Sequence, residues 1–196
     1  MPLEGNLVRL REERLEDLPA IQALRNDMRT QAWSQALPPD YTMPMYRQRF
    51  EERRFSYQRS DGRFVIEHKA EQAFAGFIVY SGLQPRWAAT IGLVVAPQFW
   101  DTGTGYDAQE TLLRFLFLDL GLRVVRLWTQ SGNPHAISLA QRTGFQISVR
   151  QRESVIFRGQ MFDNLGMDLL RPEYFARHPD LLDLLPSYSQ PTKGNA

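Results

Sequence analysis

The chain has 196 residues, 43% hydrophobic and 12% aromatic, enough for one well-formed core and near the upper end of common single-domain sizes. Lys plus Arg number 23 against 22 Asp plus Glu, so the net charge of +1 gives no global electrostatic reason to expect nucleic acid or an anionic membrane as a partner. The absence of cysteine excludes disulfides, thiolate metal sites and a cysteine nucleophile, and His68, His135 and His178 are too scattered for a metal cluster.

Nowhere is there an apolar run with the length of a signal-peptide core or a bilayer span, which fits a soluble protein of the reducing cytoplasm. Residues 6–11 read as a first strand. Glu16-Asp17-Leu18-Pro19 opens a helix with acidic residues and a proline where a helix start tolerates them, and Leu18, Ile21 and Leu24 form its buried stripe. Beyond Arg25-Asn26-Asp27 lies an aromatic, proline-rich loop with Trp33, Leu37-Pro38-Pro39 and Tyr41, a candidate substrate wall. A second helix over residues 44–54 has Met45 and Phe50 as inward positions and otherwise a solvated, charged face.

Residues 63–68 and 73–80, joined by the charged turn 69–72, have the spacing of an antiparallel hairpin. Residues 87–95 add a strand, and a helix with Leu112, Leu113, Leu116 and Leu120 at helical spacing leads to a parallel neighbour at residues 124–129. After a helix led by Asn133, residues 145–150, 155–157 and 164–170 continue the sheet, and residues 173–185 form a closing helix or turn. The expected fold is α/β of the α+β kind, a mixed sheet with helices on it, as one domain over residues 1–186. Residues 187–196, rich in Ser, Pro and Gly, read as a mobile tail.

The most informative stretch is Trp100-Asp101-Thr102-Gly103-Thr104-Gly105-Tyr106, between the apolar strand Ile91-Gly92-Leu93-Val94-Val95 and an amphipathic helix. Two glycines one residue apart allow a tight turn that aims several N–H groups at one anion, which the helix start stabilises through its unpaired donors and dipole. A third glycine and a Gly-Lys-Ser/Thr ending are both missing, so dinucleotide and nucleoside-triphosphate sites fit less well than another phosphate-bearing ligand. Taken singly, the Gly-x-Gly turn can be an ordinary tight turn and Asn133 an ordinary helix cap.

This loop resembles the acetyl-CoA loop of the GNAT N-acetyltransferases, Gln/Arg-x-x-Gly-x-Gly/Ala, with Trp100 where Gln or Arg is usual. Pro97-Gln98-Phe99-Trp100 and Tyr106-Asp107-Ala108 resemble the branch that includes the ribosomal-protein alanine acetyltransferases. Asn133-Pro134-His135-Ala136-Ile137-Ser138-Leu139 and Gly144-Phe145 are similar to the family's Asn-led helix and its terminal Gly-Phe, and the resemblance runs from Leu7 to Leu170. It implies a mostly antiparallel central sheet with helices on both faces, and a splayed parallel strand pair forming the acetyl-CoA cleft. It also implies acetyl-CoA as co-substrate without a metal, and makes a homodimer reasonable.

On the same resemblance the cofactor contacts are Leu93, Val94, Val95, Trp100, Asp101, Thr102, Gly103, Thr104, Gly105, Tyr106 and Asn133. An amine attacks the acetyl carbonyl directly, and a backbone N–H near Leu93, Val94 or Val95 stabilises the developing oxyanion. The tyrosine that often protonates the departing thiolate is replaced by Ala140, leaving Ser138 as a substitute donor or a thiolate that leaves unaided. Glu67, His68, His135, Glu153 and Asp163 are the candidate bases; Glu67 and His68 face opposite ways on a regular strand, and the resemblance gives Asp163 a structural role as readily as a catalytic one.

Trp33, Tyr41 and Trp128, with Trp87, are candidates to shape the acceptor pocket. A polyamine or aminoglycoside acceptor calls for carboxylates at the entrance, such as Asp27, Asp40, Glu51 and Glu52, whereas a peptide N-terminal amine calls for an open groove. The branch resemblance favours the peptide amine, and the missing tyrosine keeps a non-catalytic acyl-CoA-binding domain as a second class.

Overall fold

The computed structural model describes residues 2–33, 42–55 and 60–185. Its strands are β1 (Leu3–Glu4), β2 (Val8–Glu12), β3 (Gly62–His68), β4 (Ala73–Gln84), β5 (Ala88–Val95), β6 (Val124–Gln130), β7 (Gln146–Phe157) and β8 (Gln160–Leu170). The helices are α1 (Leu18–Asn26), α2 (Met28–Gln31), α3 (Met43–Phe55), α4 (Thr104–Arg114), α5 (Pro134–Arg142) and α6 (Arg171–Arg177). One sheet runs in the order β1-β2-β3-β4-β5-β6-β8-β7, antiparallel at every step except β5 to β6.

Strand periodicity assigns the two faces. Phe77 on β4 lies opposite Val94 on β5, and the guanidinium of Arg25 from α1 sits 5.7 Å above its ring. Ile78 and Leu93 therefore point to the other face, where Phe115, just after α4, meets Phe64 edge-on at 6.2 Å. Helices cover both faces, and the core runs through the sheet from Val8, Leu10, Val65, Ile66 and Ile78 to Leu112, Leu113 and Leu116. No helix among the described residues is long and apolar enough to cross a membrane.

Most expected elements form within a residue or two of their expected ends; β4 ends and β8 begins four residues beyond the expected limits, β1 is an added strand, and four further differences have a physical reason. On α3 the buried residues are Tyr46 (3% exposed) and Phe50, while Met45 is 38% exposed; Tyr46 and Phe50 stand one helical turn apart, so they share the inward face and Met45 does not. β7 is one strand through residues 151–154, because a register shift between Gln151 and Val155 absorbs a stretch that has no apolar alternation. The leucine-spaced helix ends as a π-helical turn over Phe115–Asp119 that buries Leu116 and Phe117 and leaves Leu120 at its cap. α2, started by Asp27 accepting from the Arg29 N–H, is an element the loop composition concealed. The expected tail falls outside the described residues.

Asp107, in the first turn of α4, fixes that helix to the amino-terminal strands. Its carboxylate accepts from the N–H groups of Asn6 (3.0 Å), Leu7 (2.7 Å) and Val8 (2.9 Å). Gly5 passes so close that an added Cβ would lie 2.5 Å from the Asp107 carboxylate, so the loop can wrap it only as glycine. Asp107→Ala strips three partly buried donors of a charged acceptor and should destabilise the protein by about 3 kcal/mol, whereas Asp107→Asn should lose less. Urea unfolding of the two variants checks this; equal stability to the parent would mean that water replaces the carboxylate.

Candidate active site

β5 and β6 pair only over Ala88, Ala89 and Thr90 against Val124, Val125 and Arg126. Beyond that point each strand belongs to a different neighbour: β5 stays in register with β4 to Val95 opposite Gly76, and β6 with β8 to Gln130 opposite Asn164. Gly76 has φ of +141°, and a Cβ there would stand 2.1 Å from the Val94 carbonyl oxygen, so only glycine lets β4 draw the end of β5 in. The two parallel strands splay, and a cleft opens between them.

The Ala96 N–H donates to the Ala75 oxygen on β4 at 2.8 Å. Because backbone groups alternate along a strand, Val94 is also turned to β4, while Leu93 and Val95 turn theirs to the cleft. Of Leu93, Val94 and Val95, then, Leu93 and Val95 offer cleft-facing backbone groups and Val94 has its own engaged in the β4 ladder. The Val95 carbonyl already accepts from the indole Nε1 of Trp100 at 2.9 Å. That bond folds the loop across the end of β5 and gives Trp100 a role in shaping the loop.

The loop turns into α4 at Asp101 (φ +58°) and Gly103 (φ +87°). Thr102 Oγ1 is shared with the Phe99 carbonyl at 2.8 Å and with Thr104 Oγ1 at 2.7 Å, which pins the turn from inside. Among the described residues no acceptor meets the N–H groups of Gly103, Gly105 or Tyr106; the first bond of the helix is Asp107 N–H to the Gly103 oxygen. A Cβ on Gly105 would make ordinary contact with Val95, Leu139 and Leu93, which places this residue between the end of β5 and α5. Free donors at a helix start, next to a cleft between splayed strands, fit a pyrophosphate with an amide-bearing arm running along β5.

Residues 8–146 match the family model described as Acetyltransferase (GNAT) domain. The chain belongs to the GNAT acetyltransferases. Its fold is similar to that of the spermidine N-acetyltransferase from Vibrio cholerae in complex with CoA and spermine, at 20% identity and a TM-score of 0.78, over 87% of this chain and 99% of that one. It is also similar to the acetyltransferase (GNAT family) from Bacillus anthracis, at 16% identity and a TM-score of 0.73, over 88% and 100% of the two chains. No curated protein matches the sequence.

The GNAT helix led by Asn133 is capped by that residue, whose Oδ1 accepts from the Ala136 N–H at 3.2 Å. Ala140, at the family's tyrosine position, is 1% exposed and belongs to the core. Ser138 is exposed and two residues away, some 200° around the helix, so its hydroxyl does not replace a donor at position 140. His135 is exposed in the first turn of the same helix. Glu67 is held by Arg11 Nε (2.9 Å) and Arg9 (3.4 Å) on β3, with β4 standing between it and β5.

His68 stacks on Phe99 at 5.0 Å. Glu153 is exposed on the outer strand β7. Asp163 accepts from the Glu153 N–H and pairs with Arg150, which together hold its carboxyl below the usual range. The structure thus gathers the cradle and the strand ends, and leaves the candidate bases dispersed.

On the face opposite α4, Trp128 lies in the splayed half of β6, 45% exposed, with its ring against Gly166. Trp33 packs with Phe157 (4.6 Å) and Phe162 (5.0 Å) over Gly132, just past the end of β6. Trp87 is at the other end, ahead of the paired half of β5 and under Arg123, and does not reach the cleft. Tyr41 and Asp40 lie outside the described residues. Asp27 is spent on Arg29, Glu52 accepts from Gln48, and Arg63 sits 5.2 Å above Phe77 while pairing with Glu13.

Glu110, one turn along α4 from Tyr106, meets His178 Nε2 at 3.2 Å at the end of α6. Burial raises its carboxyl above the ordinary value, against the pull of His178 and Arg177. A carboxyl raised in the fold adds stability that is complete below its unfolded pKa and lost as pH climbs through the folded value. Relative to the parent, Glu110→Gln should therefore gain stability as pH rises above 4.5 in paired urea titrations; a pH-independent difference would refute the assignment. For the cradle, Gly103→Asp and Gly105→Asp place a carboxylate at the anion site, and the first also strains a φ of +87°. Each should weaken CoA binding by about tenfold or more in a protein with parental circular dichroism; unchanged affinity would remove the loop from the site.

Proposed function

We propose that this protein transfers an acetyl group from acetyl-CoA to a primary amine of a small molecule, by direct attack within a ternary complex. The observation that carries the reading is the β5–β6 splay opening beside the unpaired N–H groups of Gly103, Gly105 and Tyr106. In this reading the loop holds the pyrophosphate, the Leu93 edge pairs with an amide of the pantetheine arm, and a cleft-facing N–H of β5 steadies the charge that grows on the thioester oxygen. The attacking amine arrives neutral or loses its proton to water, since the candidate bases are placed elsewhere, and the thiolate leaves unaided because a thiol is acidic enough to do so.

The small-molecule acceptor is supported by the fold likeness to spermidine N-acetyltransferases, one of them bound to CoA and spermine. A peptide N-terminal amine is the second reading. It is supported by the likeness of Pro97-Gln98-Phe99-Trp100 and Tyr106-Asp107-Ala108 to the ribosomal-protein alanine branch, and by Asp27 and Glu13 being already paired with arginines where a polycation would seek free carboxylates. The family resemblance further supports a homodimer, and the lack of cysteine a cytoplasmic location.

Calorimetric titration with acetyl-CoA, followed in the same sample by thiol release against polyamines, aminoglycosides and peptides with free N-termini, tests both readings. Saturable binding with release driven by a small amine is the expected result. Release driven only by peptides would select the second reading, and binding without any release would leave a CoA-binding domain.

A further inference from the structure

We infer that Gln130, the last residue of β6, is a specificity-determining residue of the acceptor site, and that the acceptor it reads is a primary monoamine carried on an apolar or aromatic body. The inference rests on the acetyl-transfer reading above and narrows its small-molecule amine to that class. Strand alternation puts Gln130 on the same face as Trp128, opposite α4, on the strand that borders the cleft. Gln130 is 5% exposed, and its carboxamide meets no hydrogen-bonding group among the described residues. In register beside it on β8 is Asn164, 7% exposed, whose Oδ1 is buried and equally without a partner. Buried amide groups are nearly always hydrogen-bonded, so two unsatisfied ones at adjacent positions of one sheet point to a group that completes them.

The polarity of that group follows from Asn164. Its Nδ2 donates to Gln151 Oε1 at 3.0 Å on β7, which leaves Oδ1 as an acceptor turned away from Gln151. The donor that matches it is Gln130 Nε2. Once those two meet, Gln130 Oε1 is left at the cleft, and only a donor completes it: an amine, neutral or protonated. The surroundings define what carries the amine. Trp128, two residues before Gln130, is 45% exposed with its ring against Gly166; Gly132, two residues after, lies under Trp33, which packs with Phe157 and Phe162. The carboxamide thus stands between two indoles. Of the aspartates on β8, Asp163 pairs with Arg150, and Asp168, on the face of Trp128, lies in register with Arg126 at the closed end of the fork. On β6 and β8 the open end therefore offers a neutral acceptor among aromatic rings, which suits one amine on an apolar body and gives a second cationic centre no counter-charge.

The test is thiol release from acetyl-CoA with 2-phenylethylamine and with spermidine, on the parent, Gln130→Leu and Gln130→Glu, with acetyl-CoA affinity followed by calorimetry. The parent should show a kcat/KM about tenfold higher for 2-phenylethylamine than for spermidine. Gln130→Leu should raise KM for 2-phenylethylamine about tenfold at parental acetyl-CoA affinity. Gln130→Glu, which puts a carboxylate in the same place, should move the ratio toward spermidine, a change that misfolding cannot produce. A parent that favours spermidine, a parental KM in Gln130→Leu, or an unaltered ratio in Gln130→Glu overturns the proposal. So does a loss of acetyl-CoA affinity in both variants, which would make Gln130 a structural residue, and so does a parent that binds acetyl-CoA but releases thiol with neither amine. A parent that does not bind acetyl-CoA fails at the loop instead, a result distinct from these because it appears before any amine is added.

Discussion

A strand cannot satisfy two diverging neighbours at once, and the candidate site exists because β5 and β6 are each bound more extensively to a different one. Their shared parallel ladder is three residues long, whereas β5 follows β4 from Ala88 to Val95 and β6 follows β8 from Val124 to Gln130. Right-handed twist in the sheet then separates the free ends. Backbone groups that would be buried and paired in a continuous sheet become a polar rail beside an apolar cleft. The position of Gly76 is part of the same constraint, since the close approach of β4 to the Val94 carbonyl leaves no room for a side chain.

The cradle inherits its position from α4, and α4 is held from three sides by residues spaced along its first two turns. Asp107 grips the loop before β2, Gln109 reaches Thr143 at the end of α5, and Glu110 meets His178 after α6. The first two are hydrogen bonds, specific in direction, and all three add to the apolar packing of Leu112 and Leu113. A helix fixed by packing alone can rotate or slide at modest cost; one fixed also by directional hydrogen bonds at two places presents the same N–H groups to the same place. The preorganisation needed to bind an anion therefore comes from outside the loop.

Much of this was legible in the sequence because it rests on local signals. Alternation and helical spacing located the strands and helices, and Gly103 and Gly105 after an apolar strand marked the turn into α4. The order of the elements placed a parallel pair where the splay is found. What was not legible depends on contacts between residues distant in the chain. Asp107 read as part of a helix opening, while its partners are a hundred residues earlier. Trp100 looked like a departure from a pattern until its indole was seen on the Val95 carbonyl. The candidate bases were chosen for their intrinsic chemistry, and the ion pairs of Glu67 and Asp163 and the stacking of His68 are contacts that spacing does not encode. Val94 differs from its neighbours only in the phase of its hydrogen bonding, which register alone decides.

The bond between Trp100 and Val95 also sets a length scale. With the Val95 carbonyl taken by the indole, an extended ligand leaving the cradle meets its first unclaimed acceptor on the open edge at Leu93, two residues further in. On the proposed acetyl-CoA reading, the loop and the strand would act together as a gauge: protein groups at both ends would fix the distance from the phosphates to the first amide contact, and a carrier arm of a different length would bring its acyl group to the wrong place.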